Sequence, residues 1–84
     1  MRIEVTAEDI KNGVPMEASD CPVALALHRA TGRMWRVDSR RICPNEKFGD
    51  MLSFPCPPAA AVFVCRFDDC LPVEPFSFEF EPTT

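Results

Sequence analysis

Five cysteines (Cys21, Cys43, Cys56, Cys65 and Cys70), one histidine (His28) and a group of arginines at 33, 36, 40 and 41 are the residues that could do chemistry in this 84-residue chain. A cysteine or serine nucleophile needs a base to take its proton, and in a triad a carboxylate orients that base. His28 is the one histidine, it sits in an apolar helix-forming run, and no motif places a carboxylate beside it. A structural zinc site shows as a close Cys or His pair followed by a second pair. The closest cysteines, Cys65 and Cys70, would point about 140° apart on one helix, away from a common metal. Asp68 and Asp69 are adjacent and face different sides of a helix, so they read as a solvated end rather than an acid/base pair. Gly13, Gly32 and Gly49 stand alone, which leaves no glycine-rich phosphate loop. No catalytic residue, metal or cofactor is therefore expected, and a cysteine-dependent enzyme or redox protein is the least favoured reading.

The odd cysteine count argues against a disulfide scaffold, as does the start Met1-Arg2-Ile3-Glu4, which lacks the apolar run of a signal peptide. No stretch reaches the roughly 18 apolar residues of a membrane span. The expected location is the cytoplasm, with reduced thiols and no membrane partner.

Charge is distributed unevenly behind the net −4. Residues 1–28 carry two basic residues against five acids, residues 29–47 six against two, and residues 48–84 one against six. Arg33, Arg36, Arg40 and Arg41, with Trp35 among them, are types that grip phosphates, stack on bases or fork onto carboxylates. A plainer reading pairs Arg36 and Arg40 with Glu79 and Glu81 across a sheet and puts Trp35 in the core. An acidic remainder would repel a phosphate backbone, so nucleic acid is the weaker partner.

The elements that must position these residues follow from periodicity and punctuation. Arg2-Ile3-Glu4-Val5 alternates as a strand does. Thr6 then caps a short helix with an acidic first turn, and Gly13 ends it. Ser19 or Asp20 caps a second helix that tolerates Pro22 in its first turn and stops at Gly32. On that helix Val23, Leu27 and Ala30 share a face and Leu25 points away, toward a second buried side or a partner. The first half of the stretch from Met34 to Ile42 reads as a strand, Cys43-Pro44-Asn45-Glu46 as a turn, and residues 49–54 as a further strand. Pro57 and Pro58 open a helix running to about Cys70, with Ala59, Phe63, Phe67 and Cys70 inward and Ala61, Val62 and Cys65 outward. The outward apolar stripe marks Val62 and Cys65 as partner-contact candidates and allows a homodimer. After the prolines at 72 and 75, Phe76-Ser77-Phe78-Glu79-Phe80-Glu81 alternates strictly, three phenylalanines on one face.

Together these predict a single α+β domain over residues 1–84. Its sheet, mixed or antiparallel, has roughly four strands covered on one face by two main helices, plus a short N-terminal helical turn. A hydrophobic content of 46%, with seven Phe and one Trp, supplies one core.

The segments Asp20-Cys21-Pro22-Val23-Ala24-Leu25-Ala26-Leu27 and Phe67-Asp68-Asp69-Cys70-Leu71-Pro72-Val73-Glu74-Pro75-Phe76-Ser77-Phe78, with Val5-Thr6-Ala7-Glu8-Asp9-Ile10, resemble a group of small uncharacterised bacterial and phage proteins. No activity comes with that resemblance, and the matching residues are fold determinants. It implies a phage-derived inhibitor of a bacterial defence protein, of the anti-CRISPR kind, working in the host cytoplasm. The expected function is thus a non-enzymatic protein-binding module using Arg33, Arg36, Arg40, Arg41, Val62 and Cys65. The alternative is a binder of an anionic ligand, a nucleotide or single-stranded nucleic acid, through residues 33–41.

Overall fold

A computed structural model describes residues 1–45 and 53–81. Eight elements follow one another: β1 (Arg2–Val5), α1 (Ala7–Asn12), α2 (Pro22–Thr31), β2 (Trp35–Val37), β3 (Arg41–Pro44), β4 (Phe54–Pro55), α3 (Pro58–Asp68) and β5 (Phe76–Glu79). The α+β class is as expected, but the strands form two antiparallel sheets rather than one. β1 pairs with β5, and β2-β3-β4 form a three-stranded sheet.

Two local causes divide the sheet. β2 occupies the first half of residues 34–42, as expected, and stops because the Asp38 carboxylate Oδ1 accepts from the backbone N–H groups of both Arg40 and Arg41 at 2.7 Å and folds the chain into a turn. Cys43 and Pro44, expected in a turn, belong to the returning strand, where Pro44 faces Trp35 and Asn45 N–H donates to the Met34 carbonyl at 2.8 Å. The last strand then pairs with the first, Ile3 opposite Phe78 and Val5 opposite Phe76, instead of joining β2. The expected strand over residues 49–54 lies mostly outside the described residues; its described end is β4, where Pro55 sits on an edge that needs no donor.

Helix ends are set by chemistry near them. Thr6 and Asp9 form a capping box on α1, with Thr6 N–H donating to Asp9 Oδ2 at 2.9 Å and Asp9 N–H to Thr6 Oγ1 at 3.2 Å. Gly13 ends α1 without a left-handed backbone; a Cβ there would stand 2.6 Å from Pro22 Cδ, so glycine is needed for close approach to α2. α2 is capped by Cys21, whose Sγ accepts from Ala24 N–H at 3.4 Å, and not by Ser19 or Asp20. Gly32 closes α2 at φ 76° with its N–H on the His28 carbonyl.

Val23, Ala24, Ala26 and Leu27 are buried along α2, Leu25 is half-buried and Ala30 is exposed. On α3 the buried residues are Ala60, Phe63, Val64 and Phe67; Ala59 and Cys70, expected inward, are exposed, because the helix stops at Asp68 and its buried stripe is turned by one residue. Phe80 joins the two sheets. Its ring meets Trp35 edge-on at 5.6 Å and Phe54 edge-on at 5.3 Å, while Phe76 stacks on Phe63 of α3 at 4.9 Å.

One polar cluster sits at the rim of this core. Arg29 of α2 forks onto both oxygens of Asp9 at 2.7 and 2.8 Å and donates to the Glu4 carbonyl at 2.7 Å, which ties α1, α2 and β1 together. Burial of Asp9 works against its charge, yet the hydrogen bonds from Arg29 and Thr6 outweigh it and hold the carboxyl below its ordinary value.

Candidate functional site

The arginines at 33, 36, 40 and 41 divide into two groups. Arg33 is half-buried, and its guanidinium carbon lies 5.7 Å from the centroid of the Trp35 ring, a cation–π approach. Arg36 from β2 and Arg41 from β3 are exposed on the face of the three-stranded sheet opposite buried Trp35, Val37 and Ile42. Arg36 pairs with Cys43 and Arg41 with Pro55, and the exposed Asp38, opposite Arg41, turns its carboxylate to the Arg40 and Arg41 backbone N–H groups. Arg40 is exposed at the turn. Its backbone is held from both sides, by Asp38 on the N–H and by Cys56 N–H donating to its carbonyl at 3.0 Å. Three cationic side chains therefore extend from a fixed backbone.

Glu79 and Glu81 do not neutralise them. Both carboxylates face the Met1 amino group on the β1-β5 sheet, Glu79 at 3.8 Å, and among the described residues Arg36, Arg40 and Arg41 make no ion pair. The expected cross-strand pairing fails because β5 took β1 as its partner. Trp35, for its part, is 1% exposed and donates its Nε1–H to Thr31 Oγ1 at 2.8 Å, so it offers no stacking surface to a base.

Cys56 lies close enough to Cys21 and Cys65 to feel their charge. Cys21 and Cys56 both have their thiols pushed up by burial, Cys56 to about 11 with the Asp38 charge adding to it. Cys65 and Cys70 are exposed. His28 is exposed at the end of α2, its Nδ1 3.0 Å from the Arg33 carbonyl. Among the described residues no three His, Cys, Asp or Glu side chains converge as a metal-ion cluster. No helix among them is long and apolar enough to cross a membrane.

The chain matches no protein-family model, no curated protein and no solved structure. The functional reading therefore rests on the geometry of this molecule.

The second set of candidates, Val62 and Cys65, lies on the outer side of α3, with Val62 60% exposed. Beside Val62 a largely apolar groove of about 600 Å³ runs between α3 and residues 72–76, lined by Ala59, Val62, Phe63, Val73 and Phe76 with Arg66 and Glu74. Arg66 Nε and Nη2 both donate to the Pro72 carbonyl, at 3.2 and 3.1 Å, which fixes the groove's two walls relative to each other. Neither Arg66 nor the groove was visible in the sequence, because the bond that builds it joins a helix to an extended segment. Asp38 did carry a signal, an Asp followed by Ser before two arginines, typical of a side-chain-closed turn.

Proposed function

We propose that this chain is a non-catalytic binding module whose arginine-bearing sheet face takes an acidic protein surface. The observation that carries this reading is the set Arg36, Arg40 and Arg41, exposed and without an ion pair among the described residues, on a turn and strands whose backbone is fixed. Guanidinium forks on a rigid support lose little freedom when they close on carboxylates, and arginine is enriched at the centre of protein interfaces. The buried Trp35 weighs against single-stranded nucleic acid, since base stacking contributes much of that binding. A small module of this kind acts by occupying its partner, which is the manner of action of an inhibitor of a defence protein.

Capture from a bacterial lysate with wild type and with Arg36→Glu/Arg41→Glu tests the reading. A partner held by wild type should be lost from the reversed protein and should weaken as salt rises. Retention of every partner by the reversed protein refutes it. Binding of single-stranded DNA at low salt, lost in the same variant, would transfer the face to the anionic-ligand alternative.

A further inference from the structure

The β1-β5 sheet presents a backbone edge along β5 that is unpaired among the described residues. Met1 and Phe80 exchange two hydrogen bonds of 2.9 Å, the Met1 amino group donating to the Phe80 carbonyl and the Phe80 N–H to the Met1 carbonyl. In an antiparallel ladder such bonded pairs alternate with unbonded ones. Along the register Ile3 with Phe78 and Val5 with Phe76 are therefore bonded pairs, whereas Ser77 and Glu79, opposite Glu4 and Arg2, turn their N–H and C=O groups away from β1. None of those four groups hydrogen-bonds to a described residue. The free sides of β1 and β2 are partly taken. Arg29 donates to the Glu4 carbonyl on one, and Val37 N–H donates to the Ala18 carbonyl at 3.0 Å on the other. A row of unpaired donors and acceptors on an extended backbone is the complement of a second extended backbone. β5 also holds its form in advance, since Phe78 and Phe80 are buried and Phe76 stacks on Phe63.

The outward side chains select what pairs there. Glu79 and Glu81 are exposed and share one amino group, that of Met1, while Arg2, opposite Glu79, is drawn to Glu4 at 3.6 Å. Glu74 stands exposed just before the strand. A second copy of β5 is a poor occupant, because pairing centred on Phe78 sets each Glu79 diagonal to the other and adds acid to acid. A strand with basic residues opposite Glu79 and Glu81 supplies the charge this edge lacks. Pro75 and Pro82 have no N–H to offer, which confines the open stretch to residues 76–81. We propose that β5 takes an extended, basic segment of a partner protein as an added antiparallel strand, with Lys or Arg opposite Glu79 and Glu81 and a hydroxyl residue opposite Ser77. The contact lies on the other sheet from Arg36, Arg40 and Arg41, and the two surfaces take opposite charge.

The probe is the capped peptide acetyl-Lys-Val-Lys-Val-Thr-amide, which in this orientation meets the chain from Glu81 back to Ser77. Titrated into isotope-labelled protein, it should shift the amide resonances of Ser77 and Glu79. The acidic peptide acetyl-Glu-Val-Glu-Val-Thr-amide should bind at least about tenfold more weakly, because two attractive cross-strand pairs become two repulsive ones. Methylation of the backbone nitrogens of the second lysine and the threonine, the two that donate to β5, should abolish binding. Glu79→Lys, at an exposed site, should weaken the basic peptide while leaving the circular dichroism unchanged. A titration to millimolar peptide that leaves Ser77 and Glu79 unshifted overturns the proposal. Equal binding of the basic and acidic peptides, or binding that survives backbone methylation, overturns it equally. A protein that dimerises through β5 and ignores the peptide overturns it too, and gives the edge to a second copy.

Discussion

Replacing Arg29 with Met would test how the helices and the first strand are held together. The substitution keeps an apolar stem of similar length and removes both guanidinium bonds to Asp9 and the one to the Glu4 carbonyl. Asp9 stays only 5% exposed and loses its cationic partner, keeping the Thr6 N–H. Stranding one member of a buried pair costs about 3 to 5 kcal/mol, but the Arg29 side chain is 52% exposed, so solvent screening reduces this to about 2 to 3 kcal/mol. For a chain of this size the urea slope is about 1 kcal/mol per molar, so the unfolding midpoint followed by circular dichroism should fall by about 2 to 3 M. Acid gives a second readout. In wild type the Asp9 carboxyl titrates below its ordinary 3.8, so the stability it contributes is complete above that value and is lost as pH falls through the depressed one. In Arg29→Met the lowering by Arg29 is gone and only the Thr6 hydrogen bonds still oppose burial, so the carboxyl titrates higher than in wild type and acid relieves a poorly compensated charge. The stability gap between the two proteins should therefore narrow as pH drops from neutral toward about 3. A midpoint that moves by less than about 0.5 M, or a gap that widens on acidification, refutes this account of the cluster.

Two further predictions concern backbone and thiols. Gly32→Ala pays only for its left-handed backbone, since nothing lies within 4 Å of the added Cβ, and should cost about 1 kcal/mol; Gly13→Ala drives a Cβ into the Pro22 ring and should cost about 2 kcal/mol, an order that thermal melts will show. At neutral pH, alkylation followed by mass spectrometry should modify exposed Cys65 and Cys70 at least about tenfold faster than Cys21 and Cys56, whose thiols burial pushes up; a Cys56 as fast as Cys65 refutes the assignment.

Where the chain's order was decided within a few residues, the sequence was readable. The Thr6 cap, the stop at Gly32, the proline-opened α3 and the alternation from Phe76 to Phe80 each need only their neighbours. The division into two sheets did not, because a period of two says which face a residue takes and nothing about which strand lies beside it. Ile3 finds Phe78 from the far side of the chain, and that choice removed Glu79 and Glu81 from the arginines. Legibility of the candidate site followed the same divide. The basic cluster was evident from composition, whereas the sequestering of Trp35 by Thr31 and the bond from Arg66 to Pro72 depend on packing. Cys21 was missed as a helix cap because a thiol is a weak acceptor, and Ser19 and Asp20 nearby looked better suited to the task.

The pairing of β1 with β5 also constrains the order in which the protein can be made. β1 is synthesised before its partner strand, residues 76–79, with every other described element between them. Until residues 76–79 have been made, Ile3 and Val5 can find α2 but not their strand partner, so the hydrogen-bonding edge of β1 stays open over that interval. The acids on either side of that edge, Glu4 in β1 and Glu8 just beyond it, then guard a nascent strand against pairing with other chains.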